Sequence, residues 1–371
     1  MSIGKVQINN LNLSQGEITA VENHLLFVGS GKGDKVGKLL TVNTDSDLSG
    51  VLAGADGLLA QVTAARDNGG QNWSASVMLY DAEGGGIASW SDAVDEAMEL
   101  AKVEGVVLTE PLSAVSDIEA MQAKSERIMA KYMRPVWFAG RAPAFDADSQ
   151  SWEEYATAIK PLTADACLVT PTIWGPELGT LMGRLCNAAV TVADSPMRVA
   201  TGALVGSWTE RPVDKSGRRL DMSVLEGLDK ARFSVPQWYP DYEGMYWADG
   251  NVLDVNGGDF QVIENVRVIM KAMRRVYPLA VARIADRRFN STPASIAQNK
   301  TYFMRPLREM SRCVTILGQT FPGEIYPPED GDITVSWPSR TSVELYMAVR
   351  PYNCPKKITC NLFLDLNNYA A

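Results

Sequence analysis

Hydrophobic positions change period twice along the chain. Between about residues 91 and 193, helical spacing alternates with short runs that are apolar throughout. Val94, Ala97, Met98 and Ala101 stand at i, i+3, i+4 and i+7, which predicts a helix with Asp92, Asp95 and Glu96 near its positive end and Gly105 as its stop. Ser116-Asp-Ile-Glu119 has capping-box spacing and opens a second helix with Ile118, Met121, Ile128, Met129 and Tyr132 inward. Leu178, Leu181, Met182 and Leu185 mark a third. Runs at 106–108, 136–139 and 167–169 read as strands, with a further one over 188–192. Upstream, a strand at 25–28, a glycine turn at 29–34, a helix over roughly 57–67 and a strand at 76–80 lead into the same arrangement. Strands apolar on both faces belong in a parallel sheet covered by helices.

From 206 to 259 the pattern loosens and aromatics gather, which predicts loops and a hairpin. A long basic helix follows over about 260–276, with Val262, Val266, Ile269, Met273 and Val276 inward and Arg267, Lys271, Arg274 and Arg275 largely elsewhere. Pro278 interrupts or ends it, and another helical stretch covers about 293–312. The period then drops to two in three successive runs, 333–337, 343–349 and 358–366. The last places Ile358, Cys360, Leu362, Leu364 and Leu366 on one face close to the chain end, where most chains fray. Such a strand needs a sheet edge, in its own fold or in a neighbour. At the other end, residues 1–24 read as an extended arm in which Val6 and Ile8 alternate with Lys5, Gln7 and Asn9.

With 371 residues, 46% hydrophobic and 21% charged, the chain has the make-up of a folded protein of two domains, or of one large domain with insertions. Cys167, Cys186, Cys313, Cys354 and Cys360 form no CxxC pair, so neither a disulfide framework nor a zinc site is indicated, and a reducing cytoplasm fits best. The opening residues lack a signal-peptide pattern, and no run approaches a membrane span. Charge is uneven: residues 258–312 carry eleven Lys or Arg against four Asp or Glu, inside a chain of net charge −9. That segment is a solvated helix face, a surface for an acidic neighbouring subunit, or a nucleic-acid contact, the last opposed by the acidity of the rest.

Catalytic signals are sparse. The loop Gly29-Ser-Gly-Lys-Gly-Asp34 follows a strand, but its spacing matches neither the P-loop nor the GxGxxG fingerprint. His24 is the single histidine, so any Ser-His-Asp or Cys-His arrangement would have to use it; packing beside Leu25 or facing solvent is the simpler expectation. No transition-metal site, cofactor or catalytic residue is expected. The alternative reading is a cytosolic α/β enzyme with Glu110, Arg141, Thr170 or Asp194 near a crevice at the carboxyl ends of its strands.

Two segments carry a family likeness. His24-Leu-Leu-Phe-Val-Gly-Ser-Gly-Lys-Gly33, followed by Val51 to Ala65 and Asn68-Gly-Gly70, resembles the opening strand, glycine turn and helix of contractile tail sheath proteins of myophages and phage-tail-like bacteriocins. Val349-Arg-Pro-Tyr-Asn-Cys-Pro-Lys-Lys-Ile-Thr-Cys-Asn-Leu-Phe-Leu-Asp365 is similar to their closing strands, where a proline turn precedes a last alternating strand. The resemblance implies a mixed α/β subunit of two domains: residues 1–24 as amino-terminal arm of a core domain, 25–250 as an inserted outer βα domain, and 251–371 as the core domain with its carboxyl-terminal strand arm. It also implies strand exchange between copies, through Val6 and Ile8 at one end and Ile358, Cys360, Leu362, Leu364 and Leu366 at the other. Arg267, Lys271, Arg274, Arg275, Arg287 and Arg288 become candidate contacts to another subunit or to an inner tube. The implied partners are further copies in hexameric rings, a tail tube protein, and baseplate and terminator proteins, in a virion tail or bacteriocin particle assembled in the host cytoplasm, without nucleic acid or membrane insertion.

Overall fold

A computed structural model describes residues 21–84, 87–157, 163–208 and 210–364. The βα alternation builds one six-stranded sheet. Strand β1 (Leu25–Ser30) is followed by β2 (Leu39–Asn43), a one-turn helix α1 (Leu48–Val51), α2 (Asp56–Gly69) and β3 (Ser74–Tyr80). Then come α3 (Trp90–Leu100), β4 (Gly105–Pro111), α4 (Val115–Tyr132), β5 (Trp137–Ala144), α5 (Trp152–Ala156), β6 (Cys167–Thr172) and α6 (Glu177–Leu185). The strand order is β2-β3-β1-β4-β5-β6, parallel except for β2, which pairs antiparallel with β3 at the edge.

Both faces of the sheet are covered, which is why its strands are apolar on both sides. Leu26, Val28, Val106 and Phe138 pack with α3 and α4, while Leu25, Phe27, Val107 and Ala139 pack with α2 and α6. Helices α2 and α6 lie in close contact because Gly179 and Gly183 face the other backbone. A Cβ at either would collide with the carbonyl oxygen of Gln61 or Ala65, respectively. Gly183→Ala is therefore expected to cost about 1–3 kcal/mol by overpacking, visible as a lowered midpoint in urea unfolding. An unchanged midpoint would mean the two helices can part freely.

Beyond the sheet lie α7 (Met222–Lys230) and the hairpin of β7 (Pro236–Tyr239) and β8 (Tyr242–Trp247). Helices α8 (Ile263–Val281) and α9 (Pro293–Met310) follow, then the short hairpin of β9 (Val314–Ile316) and β10 (Gln319–Phe321). The last hairpin is β11 (Ile333–Ser339) with β12 (Ser342–Met347), which rests Ile333, Val335 and Leu345 against Phe303 and Met304 of α9. Neither strand pairs with another sheet element among the described residues.

Several expectations need correction. Ser116 lies inside the first turn of α4; the end is closed by Asp117, which accepts from Ser113 N (2.7 Å) and Ala114 N (3.0 Å). No strand forms over 188–192, where Asn187 and Asp194 accept from nearby backbone amides and fold the segment into turns. Helix α8 continues past Pro278. The third terminal run forms no strand over 358–364 and pairs with no sheet among the described residues, so its backbone groups are left to solvent.

Candidate functional site: the arm roots and the exposed carboxyl end

The residues expected around a strand-end crevice fall into separate local contacts. Glu110 accepts from Ser30 N (3.1 Å) and Ser30 Oγ (2.6 Å), tying together the two strands on either side of the switch point. Arg141 Nε donates to Thr109 O at 2.6 Å, and burial draws its pKa down. Thr170 is fully buried with its hydroxyl unpartnered, and Asp194 caps the turn at Thr191. His24 has its ring nitrogens 3.3 Å from Ser74 Oγ and 2.9 Å from Ser76 Oγ, and burial lowers its pKa.

Chemistry instead gathers along α8, which holds Glu22 and Asn23 before β1 and Lys356 after β12. Arg267, expected on an outward face, is 0% exposed. Its Nε lies 2.6 Å and its Nη2 2.9 Å from the two oxygens of Glu104, a bidentate pair. Its remaining donors reach Leu185 O and Asn23 Oδ1. Glu104 also accepts from Asn23 N at 2.6 Å, so the pair grips the chain where it enters β1, at a residue with left-handed backbone (φ 65°). Burial pushes the Glu104 carboxyl up, but the Arg267 charge and hydrogen bonds outweigh it and hold the pKa below the ordinary value. Two turns further on, Arg274 reaches Glu22 (3.2 Å) and Pro135 O. Lys271 meets Glu324 at 2.5 Å.

These contacts correct the expected contact surface. Arg267, Lys271 and Arg274 are partnered inside the chain, because α8 presents the stripe Ile263, Glu264, Arg267, Val268 and Lys271 inward while Met273 is 39% exposed. Burial of these charges is possible because each has a carboxylate within reach. Arg275 is half-buried, Arg287 is exposed, and Arg288 is exposed while pairing with Asp286 at 2.8 Å.

The carboxyl end is rooted on the same helix. After β12, Pro351 bridges to Ile325 and Tyr352 packs on Tyr326, with ring centroids 4.0 Å apart. Lys356 Nζ then sits between Asp249 (2.6 and 2.7 Å) and Glu264 (2.8 Å). Burial raises the Glu264 pKa. Past this point Ile358 (76%), Leu362 (95%), Phe363 (88%) and Leu364 (80%) are exposed, and Cys360 is exposed as well. These side chains form an apolar stretch left open to solvent among the described residues. Phe363 was missed in the sequence because it falls on the opposite parity from Leu362 and Leu364. Val6, Ile8 and Leu366 lie outside the described residues.

Comparison with known proteins places this geometry. The DUF2586 amino-terminal domain family matches residues 3–251, and the DUF2586 carboxyl-terminal domain family matches residues 259–367. A protein of Haemophilus phage HP1 (strain HP1c1), provisionally named a tail sheath protein, is 45% identical over 98% of both chains. The contracted sheath of the PVC extracellular contractile injection system matches 99% of this chain and 98% of its own at a TM-score of 0.64 and 11% identity. The sheath tail protein of Desulfitobacterium hafniense matches 92% and 96% at 0.55 and 10%. At such identities the two structures speak for the fold alone: it is that of contractile sheath subunits. This chain belongs to the DUF2586 family.

Proposed function

We propose that this chain is the subunit of a contractile tail sheath, polymerising into a sleeve of six-fold rings around an inner tube and driving that tube through a target envelope when it contracts. The observation that carries the reading is the full-length relationship to the HP1 phage protein. The exposed apolar carboxyl end supports it physically. A strand added to another copy satisfies backbone donors and acceptors while alternate side chains fill pockets. Burial of each large apolar side chain contributes about 1.5–3 kcal/mol, against roughly 1–2 kcal/mol of backbone ordering per residue. An arm so balanced orders only where several contacts form together. The β11–β12 hairpin, whose outer edges have no sheet partner among the described residues, supplies a place for it.

In this reading residues 1–24 and 251–371 form the interlocking inner domain and 25–250 the outer one. The boundary between the two matched segments, at 251 and 259, supports that division. Energy for contraction is stored at assembly, and the chain acts without catalysis. Its partners are its own copies, a tube protein, and the baseplate and terminator that cap the sleeve, all assembled in the host cytoplasm. Electron microscopy of the purified protein is expected to show rings or striated sleeves; uniform small globules under assembly conditions would reject the reading.

Arg275, Arg287 and Arg288 remain the basic candidates for contact with the tube or a neighbour. Arg287→Glu with Arg288→Glu is expected to weaken assembly, and the defect should shrink as salt rises and screens the repulsion. Sleeves of normal length and salt dependence would return these residues to plain solvation.

A further inference from the structure

We infer that Lys356 is a releasable pin that gives the carboxyl-terminal arm two lengths, its Nζ held by Asp249 and Glu264 when the arm is short and withdrawn when it is long. For its role this inference rests on the sheath reading; the pin itself does not. Among the described residues, the tail from 353 to 364 has no hydrogen bond except those of Lys356. Residues 353–355 before it and 357–364 after it are all exposed. The pin is thus the single hydrogen-bonded attachment between two exposed stretches among the described residues.

The attachment is built, yet incomplete. Glu264 is buried to 6% exposure, and its Oε2 has no hydrogen-bond partner. One of its two oxygens therefore loses water without replacement, which offsets part of the gain from the pair. The Lys356 side chain keeps 29% of its surface open, so water can enter as the contact breaks. The Arg267–Glu104 pair on the same helix is different: both its side chains are sealed and both carboxylate oxygens are satisfied. One root is permanent and the other can let go.

Release changes the geometry by a definite amount. From Lys356 the arm to Leu364 can span at most roughly 26–29 Å at full extension. When the pin opens, the next hold is Tyr352 against Tyr326, and the span to Leu364 becomes roughly 40–43 Å. A gain of roughly 13–14 Å lets linked subunits move apart without breaking the link. A shorter arm before the movement keeps neighbours in register.

The test uses the full free chain, first with the arm's own sequence intact and then with Lys356 itself replaced. Asp249→Asn with Glu264→Gln removes both acceptor charges, and trypsin cleavage after Lys357 is expected to accelerate roughly tenfold, the lower end of what a hydrogen bond to a charged group contributes. Lys356→Gln, which leaves the body untouched, should give the same acceleration, and Lys356→Arg should restore the parent rate. Equal cleavage rates in the parent and in Lys356→Gln would overturn the pin. Because the comparison is made before any assembly, a failure of sleeves to appear would count against the sheath reading and leave this result standing.

Discussion

Removing residues 357–371 is expected to leave a folded chain that forms no long polymers. The described part of the deleted segment adds little to the body: every described side chain from Ile358 to Leu364 is exposed, and the sheet, α8 and the β11–β12 hairpin are complete without them. Circular dichroism and thermal unfolding should therefore match the parent. The apolar surface of Ile358, Leu362, Phe363 and Leu364 is exposed among the described residues, and its loss removes several side-chain burials per link, each worth about 1.5–3 kcal/mol. Summed over the links of a ring, that loss turns a growing polymer into isolated subunits. Electron microscopy and sedimentation decide the matter, and sleeves of parental length from the shortened chain would end the arm-exchange account.

Breaking the pair between Arg267 and Glu104 is expected to give the largest loss of stability from one side chain. Glu104→Gln leaves a sealed guanidinium without its counter-charge, a change that costs about 3–5 kcal/mol and should appear as a strongly lowered denaturation midpoint. Replacing both at once, with Arg267→Met and Glu104→Leu, should recover much of it, since apolar groups of similar size need no partner. The pair also sets a pH dependence. The Glu104 carboxyl titrates below its ordinary value in the folded chain, so its contribution is complete above the ordinary carboxylate range and is lost as pH falls through the folded value. Glu104→Gln should flatten that part of the acid limb; an acid limb identical to the parent's would assign the loss to other carboxylates.

The βα region was legible because its strands are buried on both faces, and a run such as Val106-Val-Leu108 admits few other readings. Strand β2 was not: Leu39 and Leu40 follow a glycine-rich stretch and pair at an edge, where half-exposed positions blur the alternation. Helix α7 was lost among loops for want of length, although Asp221 caps it through Val224 N at 2.9 Å. The site was harder. Periodicity put Arg267 and Lys271 outside because it scores charge as solvent-seeking, and their partners Glu104 and Glu324 stand 163 and 53 positions away along the chain. Nothing local announces such a match. The carboxyl end shows the converse case: alternation over Ile358 to Leu364 predicts a strand, yet among the described residues the segment pairs with no sheet.

Helix α8 holds Lys356 through Glu264 and the entry to β1 through Arg267 and Arg274. Residues 22–23 and Lys356 are therefore fastened within a few turns of one rod, so a force applied to the chain at either point is carried by α8. Because Arg267 also grips Glu104 at the start of β4, the same rod ties that force to the six-stranded sheet.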